Sequence, residues 1–218
     1  MSVTKKIIID DIILRVTDFH PTDDFDIPRA HISYILDTVR DRFVSDTTIK
    51  DLRNGGFPNS IYIVKDSGLT VTPEGDGTST DCALRHYVTM TRDPIWAPDD
   101  GAIVAVTFAD GTKVDRVSQD DMDFIKHLTG SSPSSSAPVF HREGRRIYID
   151  EISSIQANDL TVNVHYVPTI GYETDETVTY ELDDSLRINV TDTVADILIE
   201  QMGGIIDDDI EDGNSDNE

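Results

Sequence analysis

Cysteine is nearly absent. Cys82 stands alone among 218 residues, which rules out a disulfide within the chain and a cysteine-rich zinc site. Positive charge is scarce: 18 Lys and Arg face 42 Asp and Glu, for a formal net charge of −24 and a pI of about 4.3. Binding nucleic acid through its phosphates needs Lys/Arg patches, and an anionic membrane surface repels such a chain. Aromatics make up 7%, with Trp96 the one tryptophan, which is thin for stacking on sugar rings. A long apolar run is also missing. The N-terminal "MSVTKKIIIDDIILRV" is broken by Asp10 and Asp11, too short and too charged for a signal peptide or a membrane span. The expectation is a soluble protein made in a cytoplasm, with no membrane partner.

What is present suffices for a core, at 38% hydrophobic residues, and the length fits one domain with an appendage. Ile9, Ile12, Ile13 and Val16 share one face of a helix expected over 5–18. A second helix is expected over 27–44. Asp26 is its candidate N-cap, and Pro28 sits in the first turn, where a missing N–H costs nothing. Its apolar stripe is Ile32, Ile35, Leu36, Val39 and Phe43. Period two then takes over in a β-rich body expected over 57–185. "SIYIVKDSGLTVTP" reads as strand, turn at Asp66-Ser67-Gly68, strand. "LRHYVTMT" reads as a strand. "AIVAVTFADGTKVDRV" reads as a hairpin whose Asp110-Gly111 pair supplies positive φ. "PVFHREGRRIYID" turns at Glu143-Gly144, "DLTVNVHYVP" alternates strictly, and "TVTYEL" reads as a last strand. "QDDMDFIKHL" (119–128) reads as a short inserted helix, and the Ser/Pro-rich stretch 129–138 as a surface loop.

A C-terminal helix is expected over 191–203, capped by Asp192 or Thr191 and ended by Gly203-Gly204. It carries Val194, Ile197, Leu198 and Met202 on one face. Residues 207–218 form an acidic tail with seven carboxylates, whose composition alone predicts disorder unless a partner orders it. The whole reads as one α+β domain over 1–206. Its body is an antiparallel β-sandwich or barrel, with N-terminal helices and a C-terminal helix.

The chain contains no nucleophile elbow, zinc-protease helix motif, Walker loop or dinucleotide fingerprint. His20, His31, His86, His127, His141 and His165 are scattered, and Cys82 lies in a polar stretch. Asp23, Asp24 and Asp26 fit a helix N-terminus, where carboxylates meet the positive end of the dipole. The tail run "DDDIEDG" fails as a calcium loop at Ile210. Arg29, His31, Ser33, Asp37, Arg40 and Asp41 lie off the apolar stripe of the second helix, and their spacing builds no acid–base or nucleophile set. They read as a solvated or interface face. No catalytic, cofactor-binding or metal-binding residue is assigned, and no enzyme activity is expected.

The order of elements resembles one family. A Pro-led helix ending in "VRDRF" (28–43) follows an acidic stretch. Then comes a β-rich middle with the hairpin "APVFHREGRRIYI" (137–149), and the helix "INVTDTVADILIEQMGGII" closes the chain. This layout is similar to the neck proteins of tailed bacteriophages, the head–tail connector or ring proteins that stack with the portal. It resembles most those of crAss-like phages of gut Bacteroidota. The resemblance implies a structural virion protein without an active site, assembled in the host cytoplasm. It would form a homo-oligomeric ring, typically of twelve copies, around the channel that DNA crosses without specific binding. The portal and adjacent neck or tail ring proteins would be its neighbours. Two other readings compete on the residues alone: a non-catalytic β-sandwich module that binds protein or carbohydrate, and an enzyme with a site built from scattered residues.

Overall fold

The structure is a computed structural model that describes residues 3–17, 27–74, 86–118, 121, 138–150, 160–171, 175–177 and 179–211, without the side chains of 203–211. The architecture is α+β: helices at both ends enclose, in sequence, an eight-stranded and mostly antiparallel sheet. The reading of one domain over 1–206 meets a finer division. Contacts group the chain into two compact units, Met1–Val44 with Ile170–Glu218, and Ser45–Thr169.

The first unit is helical. α1 (Lys5–Val16) buries Ile8, Ile9 and Ile12. α2 (Arg29–Arg53) starts two residues late and runs nine past the expected end at 44, so its residues after Val44 belong to the second unit. Its stripe packs as the spacing requires: Ile32, Ile35, Leu36 and Val39 are buried and Phe43 lies against them. α3 (Asp184–Glu211) departs most from expectation. It begins seven residues before 191, where the Asp183 carboxylate accepts the Ser185 N–H at 3.1 Å and the Asp183 carbonyl accepts from Leu186 and Arg187. Asp183 is therefore the cap. Thr191 is interior instead, its hydroxyl donating back to the Arg187 carbonyl at 2.7 Å. Asp192 pairs with Arg15. Gly203-Gly204 does not end the helix, because two glycines lower helix propensity by only about 1 kcal/mol each. Val190, Val194 and Leu198 join the α1–α2 core, with Tyr180. The expected strand "TVTYEL" reduces to one bridge, Thr4 with Thr179.

The second unit is the sheet, in the order β1 (Val64–Thr70), β8 (Thr161–Tyr166), β4 (Ile103–Phe108), β5 (Lys113–Arg116), β6 (Val139–Glu143), β7 (Arg146–Asp150), β3 (His86–Thr89), β2 (Thr72–Pro73). β1 also comes alongside β3, so the sheet curls into a nearly closed barrel. β8 alternates as read, with Val162, Val164 and Tyr166 buried. Together with Val88, Val106, Val114, Phe140, Ile147 and Ile149 they fill the interior. Only β5 and β6 pair in parallel.

Three turns differ from expectation. Asp66-Ser67-Gly68 is not a turn. β1 runs through it, and the register against β8 slips by one residue between Asp66 and Leu69. This is a bulge, with Gly68 at φ +67° and its N–H on the Asn163 side chain. The Asp110-Gly111 hairpin is real, but Gly111 (φ +91°) is its only residue at positive φ. Asp110 instead accepts the Thr112 N–H at 2.8 Å, which holds its carboxyl below the usual carboxylate range. The β6–β7 loop is the pair Gly144-Arg145, with Gly144 at φ +60°, as a two-residue hairpin with glycine first requires. The helix read over 119–128, the loop over 129–138 and the Asp26 cap lie outside the described residues, Asp121 and Pro138 apart.

Gly111 offers a direct check of the turn. A Cβ there meets nothing within 4 Å, so substitution acts through backbone strain alone. Gly111→Val should lower stability by about 1–2 kcal/mol, and Gly111→Asn by clearly less, because asparagine tolerates left-handed backbone. Urea melts of both variants measure the difference, and equal losses would mean that packing, not φ, sets the preference.

Candidate functional site

The side of α2 read as wet is the most buried polar region of the first unit. Arg40 is fully buried, Asp37 is 6% exposed and Ser33 4%. Lys5, the first residue of α1, is also fully buried, and its Nζ lies 2.7 Å from Asp37 Oδ2. The Tyr180 hydroxyl donates to Asp37 Oδ1 at 2.9 Å. Burial pushes the Asp37 carboxyl above the usual range, and the hydrogen bond and charge of Lys5 pull it partly back. Burial, then the Asp37 charge, push the Tyr180 hydroxyl far up. Arg40 donates to Asp41 at 2.7 Å and twice to the Glu181 carbonyl, at 3.2 and 3.1 Å. Asp41 also accepts the Ile170 N–H at 3.1 Å. Arg29 bridges Asp10 and Glu176. His31 is exposed at the N-terminal end, 3.2 Å from Gln201.

Lysine, aspartate and tyrosine together have the side chains of an acid–base set. Here Lys5 and Tyr180 both turn their polar atoms on Asp37, and none of the three is more than 6% exposed, so the trio stands as a mutually satisfied buried network. Ser33, Asp37 and Arg40 are thus buried and not part of the solvated or interface face their spacing suggests, while His31 is exposed and Arg29 and Asp41 are half-buried. What hid the network is sequence distance: Lys5 and Tyr180 come from opposite ends of the chain. Tyr180 carries the faint signal, as a single tyrosine beside an apolar helix stripe.

The histidines stay apart. His86 is buried on the core side of β3, and burial lowers its pKa. His141 is buried on β6, stacked on Tyr148 at 5.2 Å, with Asp150 at 3.9 Å and Glu143 at 3.6 Å. His165 is half-buried on β8. Among the described residues no group of three His, Cys, Asp or Glu is placed to hold a metal ion. Cys82, His20, His127 and Asp23–Asp26 lie outside the described residues.

The second unit carries an open groove. β4 and β5 pair at only two positions, Val106 with Val114 and Thr107 with Lys113. β5 then leaves β4 to run beside β6. The groove is lined by Leu52 and Phe57, by Lys113 and Arg116, and at its base by Ile103, Val114 and Phe140, each no more than 5% exposed. Phe57 is 79% exposed. The lining holds no carboxylate, imidazole or hydroxyl. Its chemistry is that of holding an apolar side chain, with cations for a neighbouring carboxylate. No protein-family model and no curated protein matches the chain. Among the described residues no helix is long and apolar enough to cross a membrane.

Proposed function

We propose that the chain is a structural subunit of a ring in the head-to-tail connector of a tailed phage, surrounding the DNA channel. The observation that carries this reading is the distribution of exposed apolar side chains. Ile7, Tyr34, Ile188 and Ile199 are about half exposed on the first unit; Phe57 and Ile61 stand out on the second. A ring is held by head-to-tail contacts, in which two different patches of one subunit meet two neighbours. Two separate sets of apolar side chains supply such patches. The excess of 42 acidic over 18 basic residues supports a channel wall that phosphate backbones slide past. The resemblance in sequence layout points to the same reading.

A closed ring has a mass near twelve times the 24.2 kDa chain and rotational symmetry in electron micrographs. A monomer at every concentration tested, or an open filament, overturns the reading. The groove beside Phe57 favours a second reading, a protein-binding module, which predicts a monomer that captures one partner.

Truncation after Ile206 separates folding from assembly. The last residues described with side chains in α3 end at Met202, and the core residues Val190, Val194 and Leu198 lie before it. The shortened chain should melt within about 2 °C of the full one, since changes away from the core shift stability little, while ring yield should fall. An early melt would make the tail part of the fold, and an unchanged ring yield would remove it from assembly.

A further inference from the structure

Trp96 is 71% exposed, yet both of its sequence neighbours are buried, Ile95 at 2% and Ala97 at 6%. A large apolar side chain held outward between two inward ones is presented by the backbone. That backbone is pinned on each side. The Ile95 N–H donates to the Val167 carbonyl at 2.9 Å, and the Thr169 N–H to the Asp93 carbonyl at 2.7 Å. Pro94 bridges to Pro168. The Ser45 hydroxyl donates to the carbonyl of Trp96 itself. Downstream, Pro98-Asp99-Asp100 makes a tight turn in which Asp99 and Asp100 both take φ +52°. Arg142 Nε holds the Asp100 carboxylate at 2.6 Å. Two successive non-glycine residues at positive φ are costly, and such strain persists where the surroundings over-determine it.

We propose that this loop is a docking surface for a positively charged protein segment, with Trp96 as its anchor. A rigid, exposed indole loses little entropy when a partner covers it, and tryptophan is the residue most enriched at the energetic centre of interfaces. The surroundings set the sign of the partner. Asp99 is exposed, exposed Asp46 follows Ser45 on α2, and Asp93 keeps 64% of its side chain exposed although Arg145 stands 4.0 Å from it. Indole faces attract guanidinium and ammonium groups, and a rim of carboxylates adds to that attraction. The partner is therefore Arg- or Lys-rich. At this loop a cationic segment is favoured over another acidic surface, the same loop of a second copy included. The inference does not depend on the ring reading.

The full chain and a dye-labelled oligo-arginine peptide test it at about 0.1 M salt, where exposed charges more than about 10 Å apart are screened. Because Trp96 is the only tryptophan, its emission reports contact at this site directly. The peptide should shift or quench that emission saturably. By peptide anisotropy, Trp96→Ala should weaken binding about tenfold or more, as loss of an anchor does, and Trp96→Phe should restore most of it. Asp99→Asn should weaken binding, while the pair Asp196→Asn and Glu200→Gln, exposed on the other unit, should not. Trp96 is 71% exposed, so its variants should melt close to wild type. Equal affinity for wild type and Trp96→Ala overturns the proposal. So does an equal loss from the pair on the other unit, which would mean diffuse charge attraction. A change in sedimentation of the chain alone on Trp96→Ala would hand the surface to a second copy and overturn the stated partner.

Discussion

Replacing Lys5 by methionine should destabilise the protein by about 3–5 kcal/mol, the usual loss when one member of a buried ion pair is removed. The ammonium is fully buried, 2.7 Å from Asp37. Without it, the Asp37 carboxylate keeps its hydrogen bond from Tyr180 but loses its counter-charge. Asp37→Leu should be as damaging, since it strands the ammonium. The double variant Lys5→Met with Asp37→Leu should recover most of the loss, because neither charge then needs desolvation. Denaturant melts of the four proteins close the cycle. Additive losses would show that the pair contributes nothing beyond its separate burial.

The same pair sets a pH signature. The folded Asp37 carboxyl already titrates above its ordinary value. A raised carboxyl favours the folded state below the unfolded pKa, and that contribution is lost as pH rises through the folded pKa. Removing Lys5 takes away what pulls this carboxyl back down, so the window widens. Lys5→Met should therefore regain stability as pH falls from neutrality toward the ordinary carboxylate range, relative to wild type at each pH. Net charge works in the same direction for both proteins, since protonating carboxylates relieves the self-repulsion of a −24 chain. The difference between the two melts isolates the pair. A gap that stays constant with pH would show that Asp37 titrates alike in both folded proteins, so that Lys5 does not hold its carboxyl down.

The apolar residues of α2 were legible because burial of a helix stripe demands three- and four-residue spacing, and Ile32, Ile35, Leu36 and Val39 meet it. β8 was legible for the equivalent reason at period two. The polar side of α2 was not. An aspartate and an arginine three apart, Asp37 and Arg40, look alike whether water or a buried lysine and a carbonyl satisfy them. Only the fold brings Lys5 and Glu181 to their sides. Bulges escape for a local reason. Asp66-Ser67-Gly68 has turn chemistry, and β1 uses that same chemistry to place one extra residue against β8. Trp96 was weighed only as a thin resource for sugar stacking, because the direction a lone tryptophan faces is set by backbone bonds that the sequence does not display. The flanking Pro94 and Pro98, which make a stiff loop, were the available hint.

The barrel has its own buried carboxylate, and it should be as sensitive as the helical unit's. Asp66 is 8% exposed. It accepts the Tyr166 hydroxyl at 2.9 Å, the Thr91 N–H at 2.7 Å and the Thr91 hydroxyl at 2.9 Å. Those bonds join β1 to β8 and to the segment after β3. The Tyr166 hydroxyl also accepts the Arg92 N–H at 3.1 Å, so the four residues form one network. Asp66→Ala removes the acceptor and leaves the Tyr166 hydroxyl and the Thr91 N–H without it. Each buried group left unsatisfied costs about 1–3 kcal/mol, so the loss should be about 3–4 kcal/mol. Asp66→Asn keeps one carbonyl acceptor and should lose about half as much. Tyr166→Phe deletes the donor to Asp66 and the acceptor that the Arg92 N–H uses here, and should cost about 1–2 kcal/mol. Added to Asp66→Ala, it should cost less than it does alone, because the hydroxyl it removes is already short of its main acceptor. Thermal and urea melts of the four variants decide this. If Asp66→Ala melts within about 0.5 kcal/mol of wild type, the span of an ordinary surface substitution, then water replaces the carboxylate at no cost and the network does not hold the barrel together.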